Sequence, residues 1–326
     1  MKTAAVLKLA AKIALLTLLM FVLFVIGTTF MDLGGAGGQM AEGEAAQMVE
    51  EGAQMAEGGG QMAEEQAALA GLALLIVCLV DTSILAAFIL RSRLHGLRLI
   101  FVVAVVYYGV KTVMTQIETW YFMPNVDPTM LPGLFLMTVP VAILFPPIAV
   151  LVLGRLKPRT PPQEVTGTQL NLSPGQWAWK LALLACLIYP LLYFLFGYFV
   201  AWQNPELRTF YGGPEPGQFL SFFANLFRDN PALYPFQILR GLLWIGLALL
   251  IIRGEMGRPW ETGLMVALLF SLIANDALII PNPLMPSSVR LSHLIETIPS
   301  NFIWGWLIVW VLHYRHHSPA RTSTDG

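Results

Sequence analysis

The chain alternates long apolar runs with short polar joints. Eight runs, at about 10–31, 68–90, 97–122, 130–154, 178–202, 236–253, 261–281 and 290–314, approach the roughly 20 residues that a helix needs to cross hydrocarbon. The pattern predicts an all-α, polytopic membrane bundle. The fourth run, "MLPGLFLMTVPVAILFPPIAVLVLG", carries Pro132, Pro140, Pro146 and Pro147. Proline removes a helical hydrogen bond and clashes with the preceding turn. A kinked or broken span is therefore expected there, facing protein wherever its backbone is exposed.

Composition agrees with the pattern. Of 326 residues, 56% are hydrophobic and 12% charged, against about 25% charged in soluble chains. The net charge of -1 conceals an asymmetry: eight Asp or Glu lie in 32–65, with no Lys or Arg among them. Basic residues recur at alternate joints. Lys2, Lys8 and Lys12 begin the chain, Arg91, Arg93 and Arg98 join the second and third runs, and Arg155, Lys157, Arg159 and Lys180 join the fourth and fifth. Arg253 and Arg258 follow the sixth run, Arg315 and Arg321 the eighth. An excess of Lys and Arg marks cytoplasmic loops, so both termini are expected in the cytoplasm. The plasma membrane of a prokaryote is the expected location. The basic, apolar N-terminus also has the shape of a signal peptide, but its apolar run is long and no Ala-x-Ala site follows, which favours a retained anchor.

These joints suggest an N-terminal four-span half at 1–154, a connector at 155–177, a C-terminal half at 178–314 and a tail at 315–326. The outer loop at 32–67 contains a repeat close to Gln-Met-Ala-Glu-Gly, with Met at 40, 48, 55 and 62. Spacings near seven suit a helix continuing towards Leu69 and Ile76, but glycine costs about 1 kcal/mol per residue in a helix. A break is expected at "EGGGQ", with an acidic tether before it. Thioethers can hold soft metals such as Cu(I), but residues this sparse suit a tether better. At 217–229, Ser221, Asn225 and Arg228 share one helical face among aromatic and aliphatic residues. That segment fits an amphipathic helix in the outer interface, either packed on the bundle or covering an opening. Trp120, Tyr121, Trp202 and Tyr211 suit interfacial anchoring. Cys78 and Cys186 differ in depth by about 10 Å by helical rise and are expected to be small buried hydrophobes rather than a disulfide.

Ionisable groups inside spans are costly and point to function. Asp81 and Lys111 lie deepest and are expected to pair, either joining two helices or coupling protons or ions. A second group lies nearer the outer face: Glu118, Asn275, Asp276, Arg290, His293, Glu296 and Asn301. His293 and Glu296 share a face three residues apart, and Pro299 frees the carbonyl of Ile295 nearby. If the helices converge, these residues line an outward-opening cavity. Imidazole and carboxylates could ligate a divalent metal, serve as general acid and base, or bind a cation or amine.

The two halves also correspond: each places a carboxylate, Glu118 or Asp276, near the outer end of its third helix, as parallel transporter repeats can. The expected activity is binding or transport of a small polar or lipid-like solute. The competing readings are a membrane enzyme using His293, Glu296, Asp276 and Glu118 at the outer leaflet, and a non-catalytic scaffold. No nucleotide or cofactor motif is present, so no cofactor is expected. Membrane lipids are expected partners. Nucleic acid is not, since no large basic surface is present.

Overall fold

A computed structural model describes residues 2–31, 42–123, 130–158, 170–281 and 285–314. The tail at 315–326, the start of the acidic repeat and much of the 155–177 connector lie outside the described residues. Eight helices are long and apolar enough to cross a membrane: Thr3–Phe30, Ala67–Arg91, Gly96–Phe122, Met130–Val152, Pro174–Gln203, Leu233–Gly254, Pro259–Ile279 and Ser287–His313. They are called spans one to eight below. No β-strand forms among the described residues. The protein is an all-α, multi-pass membrane bundle.

The packing has an internal regularity. Span one packs on spans two and four, and span three on span four. Span five packs on spans six and eight, and span seven on span eight. Span three also meets spans six and seven, and span two meets span seven. Pairs one–two, one–four and three–four thus recur as five–six, five–eight and seven–eight, and span six also meets span eight. Around the outside, Leu15, Leu18, Val22, Ile143, Leu151, Leu187, Leu239 and Trp310 are exposed. Exposed apolar side chains on so many membrane-length helices suit contact with lipid chains.

Span two continues a longer helix, Glu42–Arg91, half of which precedes Ala67. The break expected at "EGGGQ" is absent. A helix already nucleated in the bundle gains one hydrogen bond per residue as it propagates, and the Ala, Met, Glu and Gln around the glycines are strong helix formers.

Span four divides into Met130–Leu136 and Val139–Val152. The division falls ahead of Pro140, whose ring opposes the carbonyl four residues before it. Tyr108 of span three donates to the Phe135 carbonyl at 3.2 Å, and Thr112 hydrogen-bonds to Thr138. The interrupted backbone thus faces protein hydroxyls. Pro146 and Pro147 remain inside the second piece. Span five shows the same logic: Pro190 cannot donate to the Cys186 carbonyl, and the Tyr234 hydroxyl does so instead. Cys186 itself is exposed, while Cys78 is buried. The expectation of two buried thiols is therefore corrected: Cys186 lies on a π-turn, Leu183–Ile188, on the outer surface of the bundle.

The end of the bundle where span one begins and span eight finishes is tied by its own basic residues. Lys180 donates to the carbonyls of Leu312 and Tyr314 at 3.0 and 2.8 Å, capping span eight. Arg155 reaches the carbonyls of Ser92 and Leu94. Ser92 and Glu255 form an isolated antiparallel bridge, and Arg91 holds both Glu255 and Glu261.

Candidate functional site

At the opposite end, spans three, five, seven and eight surround a cavity of about 220 Å³. The helix Phe219–Asp229 roofs it with Phe222, Phe223 and Leu226. That helix buries no residue fully, and Leu220 remains 79% exposed. Its inner face nevertheless meets span five, where Phe194 stacks edge-on against Phe223 and Phe227 at 5.3 and 5.2 Å. The amphipathic segment is both packed on the bundle and a cover for the cavity.

The polar wall comes from two paired sets. His293 and Glu296 lie one turn apart in span eight, with Nδ1 and Oε2 separated by 3.0 Å. The Tyr211 hydroxyl lies 2.9 Å from Nε2 of the same ring. A carboxylate needs a donor, so Nδ1 carries a hydrogen towards Glu296, and Nε2 lies in hydrogen-bond contact with the Tyr211 hydroxyl. Tyr211 arrives on a short helix, Pro205–Tyr211, started by the Asn204 side chain accepting from the Glu206 amide at 3.0 Å. Gly212, at φ +67°, ends it. Burial raises the Tyr211 hydroxyl above its ordinary range, and the Glu118 and Glu296 carboxylates add to this. It therefore stays protonated as a donor.

The second set joins spans three and six. Arg240 Nη2 meets Glu118 Oε2 at 2.5 Å and Gln237 accepts from the same guanidinium at 3.1 Å. The rings of Tyr189, Tyr193 and Phe236 surround Arg240 at about 6 Å, within cation–π range. A smaller cavity of about 30 Å³, lined by Arg240, Glu118, Glu296 and Asn301 among others, adjoins the larger one. The two share Glu118, Tyr193, Glu296 and Thr297.

The sequence grouping therefore divides. Glu118, Asn275, His293 and Glu296 line the main cavity, and Asn301 the smaller one. Asp276 and Arg290 line neither, which corrects their expected placement. Arg290 turns to the Met285 carbonyl at 3.2 Å. Asp276 turns inward because the π-turn Leu269–Ile273 precedes it. One extra residue in a turn rotates the succeeding residues by about 100°.

Asp276 instead joins the deep pair. Lys111 Nζ lies 3.1 Å from Asp81 Oδ2 and also holds Asp276 Oδ1. Tyr107 donates to Asp81 Oδ2 at 3.3 Å, and Lys111 lies over the Phe24 ring at 5.8 Å. Lys111 itself sits in a π-turn, Gly109–Val113. Two helices thus carry π-turns where they bring their charges together, a common feature of functional sites.

Arg240 and Tyr211 escaped the sequence reading. A lone Arg inside the sixth apolar run, three residues after Gln237, is a usable signal for the first. The Asn-Pro-Glu start and Gly-Gly end of the short helix are the signal for the second. Among the described residues, no three His, Cys, Asp or Glu groups converge as a metal site. Protein-family models, characterised proteins and solved structures were compared with this chain, and none matches.

Proposed function

We propose that the protein binds a small amphipathic solute in the main cavity, as the loading site of a transporter open to the outer face of the membrane. The observation that carries this reading is the wall itself. Aromatic rings of Phe122, Tyr193, Phe194, Tyr198, Trp202 and Phe223 line it, and two carboxylates stand among them. Glu118 is balanced by Arg240. Glu118 and Glu296 both line the cavity, whereas Arg240 stands outside its lining, so the wall itself presents carboxylates. An apolar body with a cationic head fits such a surface. The outward orientation rests on the basic joints lying at the other end.

A membrane enzyme is the second reading, favoured by the Tyr211–His293–Glu296 chain, in which a carboxylate orients an imidazole. The hydroxyls nearby argue for binding. Thr115, Thr119 and Thr297 each donate to a helix carbonyl one turn earlier, which leaves no activated nucleophile among them.

Mass spectrometry of the protein purified in lipid nanodiscs tests the proposal. A co-purified amphiphile carrying a cationic head is expected in the native chain. It should be lost in Gly197→Leu, because a Cβ at Gly197 would stand 3.6 Å from Glu296 Oε1 and a longer side chain would enter the cavity. Identical lipid content in both proteins would count against it. Turnover of a bound lipid would support the enzyme.

A further inference from the structure

The cluster around Lys111 carries more charge than it can balance. Asp81 is wholly buried, and Lys111 and Asp276 are both 6% exposed. Two carboxyls grip a single ammonium. Fully ionised, the cluster would hold a net negative charge in a buried site. An uncompensated carboxylate is costly there, and such groups neutralise instead.

The free oxygens point the same way. Asp81 Oδ1 and Asp276 Oδ2 are both buried and have no hydrogen-bond partner among the described residues. The remaining titratable neighbours cannot supply the missing charge. Span two adds the thiol of Cys78, one turn before Asp81, and span three adds the phenol of Tyr107; span one places the Phe24 ring against Lys111. The buried charges of spans six and eight, Arg240 and Glu296, are engaged with Glu118 and His293.

We infer that Asp81 and Asp276 hold one exchangeable proton between them, making this cluster a proton-binding site. Binding converts one carboxylate to a carboxylic acid, and the partner carboxylate then balances Lys111. Release returns the second negative charge. The site lies where spans two, three and seven meet. It also adjoins the main cavity through the chain, since Asn275 lines that cavity and Asp276 follows it. The proton site stands whether or not the cavity holds the solute proposed above.

Infrared spectroscopy of the full chain, with the aspartate side-chain carboxyls labelled with carbon-13, tests this. The label separates aspartates from the buried glutamates. At neutral pH exposed aspartates are ionised, so an isotope-shifted carboxylic-acid band must come from a buried Asp. The native protein should show such a band, and deuterium oxide should move it. Asp276→Asn and Asp81→Asn should each abolish it, and Lys111→Gln should strengthen it. If these variants fail to fold, the native spectrum decides alone. Absence of the band, or a band unmoved by deuterium, overturns the inference. So does absence of the band together with stabilisation by sodium but not potassium, which would place a metal cation in the cluster.

Discussion

Arg240 of span six and Glu118 of span three meet at 2.5 Å, with side-chain exposures of 5% and 38%. The pair is asymmetric. Glu118 reaches the cavity, where water can solvate it, whereas Arg240 depends on its partner. Glu118→Ala should therefore destabilise the protein by about 3 kcal/mol or more, as expected for stranding a buried charge. Arg240→Met should cost less, and Glu118→Gln combined with Arg240→Met should recover much of the loss. Thermal unfolding in detergent measures all three. Equal losses for both single variants would show that the exposure difference has no energetic consequence.

Spans seven and eight approach closely at Gly305. A Cβ there would lie 2.8 Å from Ala267 Cα and 2.9 Å from its nitrogen, so backbone would have to move. Gly305→Ala should lower stability by roughly 1–3 kcal/mol, the usual cost of overpacking. Gly263→Ala is the matched control, since its Cβ would meet Trp306 at an ordinary 3.6 Å. A melting temperature shifted equally by both substitutions would contradict this account of the contact.

Much of this framework is legible along the chain. Apolar runs of membrane length locate the spans, and the rarity of charge within them singles out Asp81 and Lys111. The side to which Asp276 turns is hidden, because a π-turn changes helical phase without a distinct residue pattern. Arg240 was obscured by the strength of the apolar run around it. Tyr211 was hidden by its loop, where an aromatic residue is adequately explained by the interface. The roof of the cavity lay between these cases: its amphipathic pattern predicted the helix, but the surface under its apolar face depends on tertiary packing.

Glu255, just after span six, meets Arg91 at the end of span two, with Nε at 3.3 Å. Burial pushes its carboxyl up to about 7 from an ordinary 4.5, and Arg91 opposes the shift. The folded state thus prefers the protonated acid. Its contribution is fully present below the unfolded value and is lost as pH rises through about 7, a difference of roughly 3 kcal/mol. Glu255→Gln should remove this part of the pH dependence between about pH 4.5 and 7. Parallel melting curves for both proteins across that window would contradict it.

The central claim is that the aromatic, carboxylate-bearing cavity binds a cationic amphiphile. Trp202 lines it and reports occupancy. The most direct measurement is a fluorescence titration in nanodiscs with an alkyltrimethylammonium probe and an alkyl sulfonate of equal chain length, using Trp202→Phe to isolate the signal. The account predicts saturable quenching by the ammonium probe, at least about tenfold weaker binding of the sulfonate, corresponding to roughly 1.4 kcal/mol, and loss of the response in Gly197→Leu. Equal binding of the two probes, or an unchanged response in Gly197→Leu, would contradict it.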